Sequence, residues 1–156
     1  MPDVEIHRLI WVVTGIQLNA ELGDRPLAYR IEQELRTRLA ARLGPTPAGG
    51  LPLLAPAVIS DVFYLNHDEA SKRPLISIGG PGVNAVSAML VDKLPTAVAI
   101  EETLVVQMDV EMNDRRCAVW GMNHLDTVRA VELFISRGYL DTFVDGVVSG
   151  LEGFEE

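Results

Sequence analysis

Residues 77–84 read Ser77-Ile78-Gly79-Gly80-Pro81-Gly82-Val83-Asn84 and join the apolar run Leu75 to Ile78 to a helix-like segment, Ala85 to Leu94. A strand that turns through glycines into a helix leaves backbone N–H groups pointing outward. The helix dipole adds partial positive charge there, so the spot suits a phosphate or carboxylate. The same glycines also serve a tight turn and close helix packing with no ligand at all. The nucleotide fingerprints are incomplete. The order is G-G-P-G-x-N rather than G-x-G-x-x-G, Pro81 removes one N–H, and no lysine follows.

Working outward, Leu9 to Thr14 (LIWVVT) is a β-branched and aromatic run closed by Gly15, the pattern of a buried strand. Asp24-Arg25-Pro26 reads as a helix start, with Asp24 as cap. Leu27, Ile31, Leu35 and Leu39 then recur every four residues up to Gly44. Pro45 to Pro56 is a long Pro/Gly-rich loop, expected as a surface excursion within one domain spanning 1–156. Ala57 to Leu65 is expected as a strand, with Asp61 among apolar neighbours. Ala97 to Ile100 is a further short strand. Leu104 to Val110 and Cys117 to Trp120 flank Asn113-Asp114 as a hairpin. Asn123 caps a helix over Leu125 to Ser136, ended by Arg137-Gly138, and Leu140 to Val148 forms a weaker one. This alternation predicts a three-layer α/β sandwich, its sheet mainly parallel with an antiparallel hairpin near 104–120.

Thirteen Lys+Arg stand against 22 Asp+Glu, a net charge of -9. Nucleic acid and anionic membrane surfaces are therefore not the expected partners, because both draw their affinity from basic faces. The single cysteine, Cys117, excludes an internal disulfide and a cysteine zinc cluster. No stretch reads as a leader or a membrane span, so a cytoplasmic location is expected.

In an open α/β sheet, ligands bind beyond the carboxyl ends of the strands. That rule gathers Thr14 and Gly15, the loop Gly79, Gly80, Gly82, Val83 and Asn84, and a second strand-to-helix turn with Gly121, Asn123 and Thr127. Asn84 either holds a ligand or caps its own helix. Asp61 is the candidate general base, unless it is a carboxylate satisfied by a loop at a strand end. Cys117 with His124 and Asp126 has the composition of a triad, but a mid-strand cysteine packs as a small hydrophobe. Histidine spacing gives no metal site, and no cofactor is expected. Trp11 and Trp120 are expected in the core.

Two segments carry a resemblance. Ile76 to Asn84 resembles the GGPxxN segment in C-terminal domains of archaeal S-layer proteins. Val119-Trp120-Gly121-Met122-Asn123-His124-Leu125-Asp126-Thr127, through Arg129-Ala130, is similar to the VxGYxxxDTRxA segment that follows it there. The resemblance covers roughly residues 75–140. It implies an α/β module whose two loops lie close together, with no catalytic residues to carry over; position 122 is methionine where that family has an aromatic residue. Three functions follow from the sequence: binding of a polar or anionic small molecule at the two turns, an enzyme using Asp61 in the same cleft, or an assembly module, such as a homo-oligomer, with no small-molecule site.

Overall fold

The computed structural model describes residues 8–44, 50 and 52–152. Pro45 to Gly49 and Leu51, half of the expected loop, lie outside the described residues, as do Met1 to His7, and the loop's last two residues, Ala55 and Pro56, open a strand instead. The strands are β1 (Leu9–Thr14), β2 (Ala55–Ser60), β3 (Leu75–Ile78), β4 (Thr96–Ile100), β5 (Leu104–Met108) and β6 (Arg116–Gly121). The helices are α1 (Arg25–Leu43), α2 (Asp61–Leu65), α3 (Ala85–Leu90), α4 (His124–Ser136) and α5 (Tyr139–Glu152).

The six strands form one sheet in the order β2-β1-β3-β6-β5-β4. The first four are parallel; β5 pairs antiparallel with β6 and β4 antiparallel with β5, so β5 alone runs against the other five. Alternate residues of each strand face opposite sides, so the sheet feeds two cores. Ile10, Val12, Ile76, Val119 and Val106 pack with Ile31 and Leu35 of α1, Phe134 of α4 and Phe143 of α5. Trp11, Val13, Leu75 and Ala118 pack on the other face with Tyr64 of α2 and Val86 and Leu90 of α3. The result is a helix–sheet–helix sandwich, as the alternation of elements predicts. Pro56 is accommodated because β2 is an edge strand.

Three elements differ from the sequence reading. The run 57–65 is not one strand. Ser60 stops β2 by accepting the Phe63 N–H at 3.0 Å, which starts α2 at Asp61. The β-branched and aromatic residues of this run therefore belong to two elements. Helix α3 closes at Leu90, and the expected helix to Leu94 becomes a turn there. Asp24 is not a helix cap. It is in helical conformation and makes no capping bond, because a π-helical segment, Ala20–Asp24, runs directly into α1. In that segment the Arg25 N–H donates to Ala20 O, five residues back. Pro26 has no N–H and crowds the preceding turn, so a widened turn just upstream relieves it.

Candidate site at the carboxyl ends of the strands

Chain order reverses around β1: β2 lies on one side and β3 on the other. Such a switch point opens a crevice beyond the strand ends. Asn84 ties the two strands together there. Its Nδ2 donates to Val13 O at 3.2 Å and Ile78 O at 2.9 Å, while its Oδ1 accepts from the Val86 and Ser87 N–H groups. With its amide fully used and 1% exposed, Asn84 is a positioning residue rather than a ligand contact.

The glycine turn is shaped by close approach. Gly79 has φ 109, and a Cβ there would lie 2.6 Å from Asp24 Oδ2. Only glycine meets both conditions. At Gly121 a Cβ would collide with Asp126 and Thr127, so the start of α4 packs directly on the end of β6. Thr127 Oγ1 accepts the Gly121 N–H at 3.0 Å and donates to Asn123 O at 3.1 Å, while Asn123 Oδ1 caps the Asp126 N–H.

Between these two turns and the π-helical segment lies a cleft of 880 Å³. Gly80, Gly82, Val83, Gly121, Asn123 and Thr127, six of the residues singled out from sequence, line it. Gly79 sits behind the Asp24 carboxylate, and Asn84 lies beneath the turn it braces. The Val83 N–H is committed to Gly80 O at 3.1 Å. Among the described residues, the N–H groups of Gly80, Gly82 and His124 have no acceptor. Trp120 is half-buried, packing against the margin of the second core and lining the cleft beside Gly80, whereas Trp11 is 4% exposed and fully part of that core.

The residue that the sequence reading missed is Asp24. It lines the cleft and is 6% exposed, yet its carboxylate has no hydrogen-bond or ion-pair partner among the described residues. Burial raises its pKa to about 6, against a smaller opposing pull from His124 across the cleft. The imidazole sits over the backbone of Gly23, where a Cβ would come within 2.7 Å of its Nδ1. A second orphan group lies at the switch point. The Thr14 hydroxyl, at the end of β1, is fully buried and unpartnered.

Asp61 has a different role. Its Oδ1 accepts the Val62 N–H at 2.8 Å and its Oδ2 the Ala85 N–H at 2.9 Å, so one carboxylate caps the first turns of α2 and α3. Cys117 is fully buried in mid-strand, and burial pushes its thiol far up in pKa. It therefore forms no triad with His124, which is exposed on the cleft, or with Asp126, which pairs with Arg129 at 3.6 Å. Among the described residues no group of three His, Cys, Asp or Glu side chains is placed to hold a metal ion, and no helix is long and apolar enough to cross a membrane. No protein-family model matches this chain, and no curated protein matches it.

Proposed function

We propose that this protein binds a polar small molecule in the cleft between the 79–83 and 121–127 turns. The observation that carries the reading is the Asp24 carboxylate, on a residue 6% exposed and without a protein donor among the described residues, in the lining of the same cleft as Gly80, Gly82 and His124, whose N–H groups have no acceptor there. A buried carboxylate without a donor costs stability, and such a cost persists where a ligand supplies the donor. Asp24 also refines the ligand class. A simple anion filling the cleft would be repelled by it, so the ligand presents a hydroxyl or ammonium group to Asp24. Its carboxylate or phosphate then lies at the glycine turn and the start of α4. Hydroxy acids, amino acids and sugar phosphates have this polarity.

An enzymatic reading resting on Asp61 draws no support from a carboxylate whose two oxygens are both held by backbone N–H groups. A specific observation does favour a second reading, assembly. Leu22 and Met122 line the cleft and are about 70% exposed, as are Leu18 and Leu125 close to them in the chain, which gives an apolar margin that a second copy or another protein can cover.

Thermal shift against a panel of hydroxy acids, amino acids and sugar phosphates tests the binding reading. Gly82→Val is the control variant, because Gly82 has open space around it and an unremarkable φ, so the variant folds while narrowing the cleft. The expected result is a panel member that raises the wild-type melting temperature and leaves Gly82→Val unmoved. A panel without a single shift, with the wild type monomeric or dimeric alike, overturns the binding reading. A dimer that dissociates on Leu22→Glu supports assembly.

A further inference from the structure

At the opposite end of the sheet a groove of 650 Å³ opens beside the amino ends of β3 and β6. Parallel pairing sets Leu75 beside Arg116, and the Leu75 N–H donates to Arg115 O at 3.2 Å. The segments that lead into β3 and β6 therefore run together, and Arg73 and Arg115 both line the groove with Lys72 and Arg116. Four cations gather here in a chain whose net charge is -9.

The carboxylate that lines the groove, Asp114, is already committed. It takes Arg116 Nε and Nη2 at 2.8 Å each, a two-point ion pair that holds its pKa below the usual carboxylate range. Among the described residues no carboxylate pairs with Lys72, Arg73 or Arg115. Arg73 is half-buried, and its Nε donates to Leu9 O at 2.9 Å, which fixes the guanidinium and leaves its terminal nitrogens available. Arg115 lies over α5 at Gly150, where an added Cβ would come 2.6 Å from its Cζ. Burial and the nearby Arg115 charge lower the pKa of Arg73. Two neighbouring like charges without a counter-charge favour an oxyanion between them. Leu54, Val147 and Leu151 supply an apolar wall to the same groove.

We propose that this groove is a second binding site, which takes a phosphate monoester. Arg73 and Arg115 grip the phosphate oxygens, Lys72 adds charge at the rim, and the apolar wall covers the organic body. The site is separate from the cleft of Asp24 and does not rest on it.

Calorimetric titration of the full chain with phenyl phosphate, inorganic phosphate and phenol tests the proposal. Phenyl phosphate is expected to bind tighter than inorganic phosphate, and phenol not at all. Arg115→Ala, an exposed position that leaves Arg73 and its bond to Leu9 intact, is expected to weaken phenyl phosphate by about tenfold or more, and Arg115→Glu to abolish it. Gly82→Val is expected to change nothing. Absence of binding up to about 10 mM, a dissociation constant too weak to be meaningful, overturns the site. So does binding that survives Arg115→Glu, and so does binding lost in Gly82→Val, which places the phosphate in the cleft instead.

Discussion

Replacing Asp24 by asparagine is expected to make the protein more stable and less functional. Asparagine keeps the shape of the side chain and removes its charge. Holding a carboxyl at about 6 instead of 3.8 corresponds to about 3 kcal/mol of destabilisation of the folded state once the group is ionised. The sign follows from proton binding. Between pH 3.8 and about 6 the folded state holds a proton that the unfolded chain has released, so stability falls as pH rises through that window and stays lower above it. The Asp24→Asn variant lacks this slope. Its advantage is therefore absent near pH 3.5, grows through the window, and reaches about 2–3 kcal/mol at pH 7.5. For a chain of this size that is a rise in melting temperature of about 5–10 °C. Urea unfolding of both proteins by circular dichroism at pH 3.5, 5 and 7.5 measures it. A variant less stable than wild type at pH 7.5, with an unchanged pH profile, refutes the reasoning, because it means that the Asp24 carboxylate has a partner that stabilises its charged form.

Other expectations follow from single side chains. Asn84→Ala removes four buried hydrogen bonds that join β1, β3 and α3, and is expected to cost about 2–4 kcal/mol in denaturant unfolding; a cost below about 0.5 kcal/mol contradicts its bracing role. Thr14→Val exchanges an orphan hydroxyl for a methyl group of the same shape, so stability is expected to rise by about 1 kcal/mol, and an equal loss would show that the hydroxyl has a partner. Cys117 is expected to react with a thiol reagent only as fast as the protein unfolds, since it is fully buried and its thiol is held protonated. Labelling within seconds under native conditions would contradict that burial.

Much of the fold was legible because each element carries a local pattern. Val12 and Ile10 alternate with Trp11 and Val13 across β1, and Ile31, Leu35 and Leu39 repeat along α1, so both the sheet and its covering helix declare themselves. The paired turns were legible too, since glycines at 79–82 and 121 stand at strand ends. What escaped was set by tertiary contact. Asp24 beside Pro26 carries the local signature of a helix start, yet the helical conformation begins upstream, and the π-helical turn that absorbs Pro26 has no sequence signature of its own. A usable signal did exist: Ala20, Asp24 and Ala28 recur at intervals of four and lead into Ile31, which places Asp24 on the buried stripe. The boundary at Ser60 escaped for another reason. Val62, Phe63 and Tyr64 favour strands, but the hydroxyl of Ser60 and the carboxylate of Asp61 cap a helix, and local capping prevails over propensity.

The most direct test is an amide NMR titration of the wild-type protein with the panel member that gives the largest thermal shift. Binding in the cleft predicts that the Gly80, Gly82 and His124 amides move first and furthest, with Trp120 indole following, and that Asp24→Asn weakens the affinity. Shifts confined to residues around Arg73 and Arg115, or spread along the Leu18 to Met122 rim without the glycine amides, would contradict the cleft as the site.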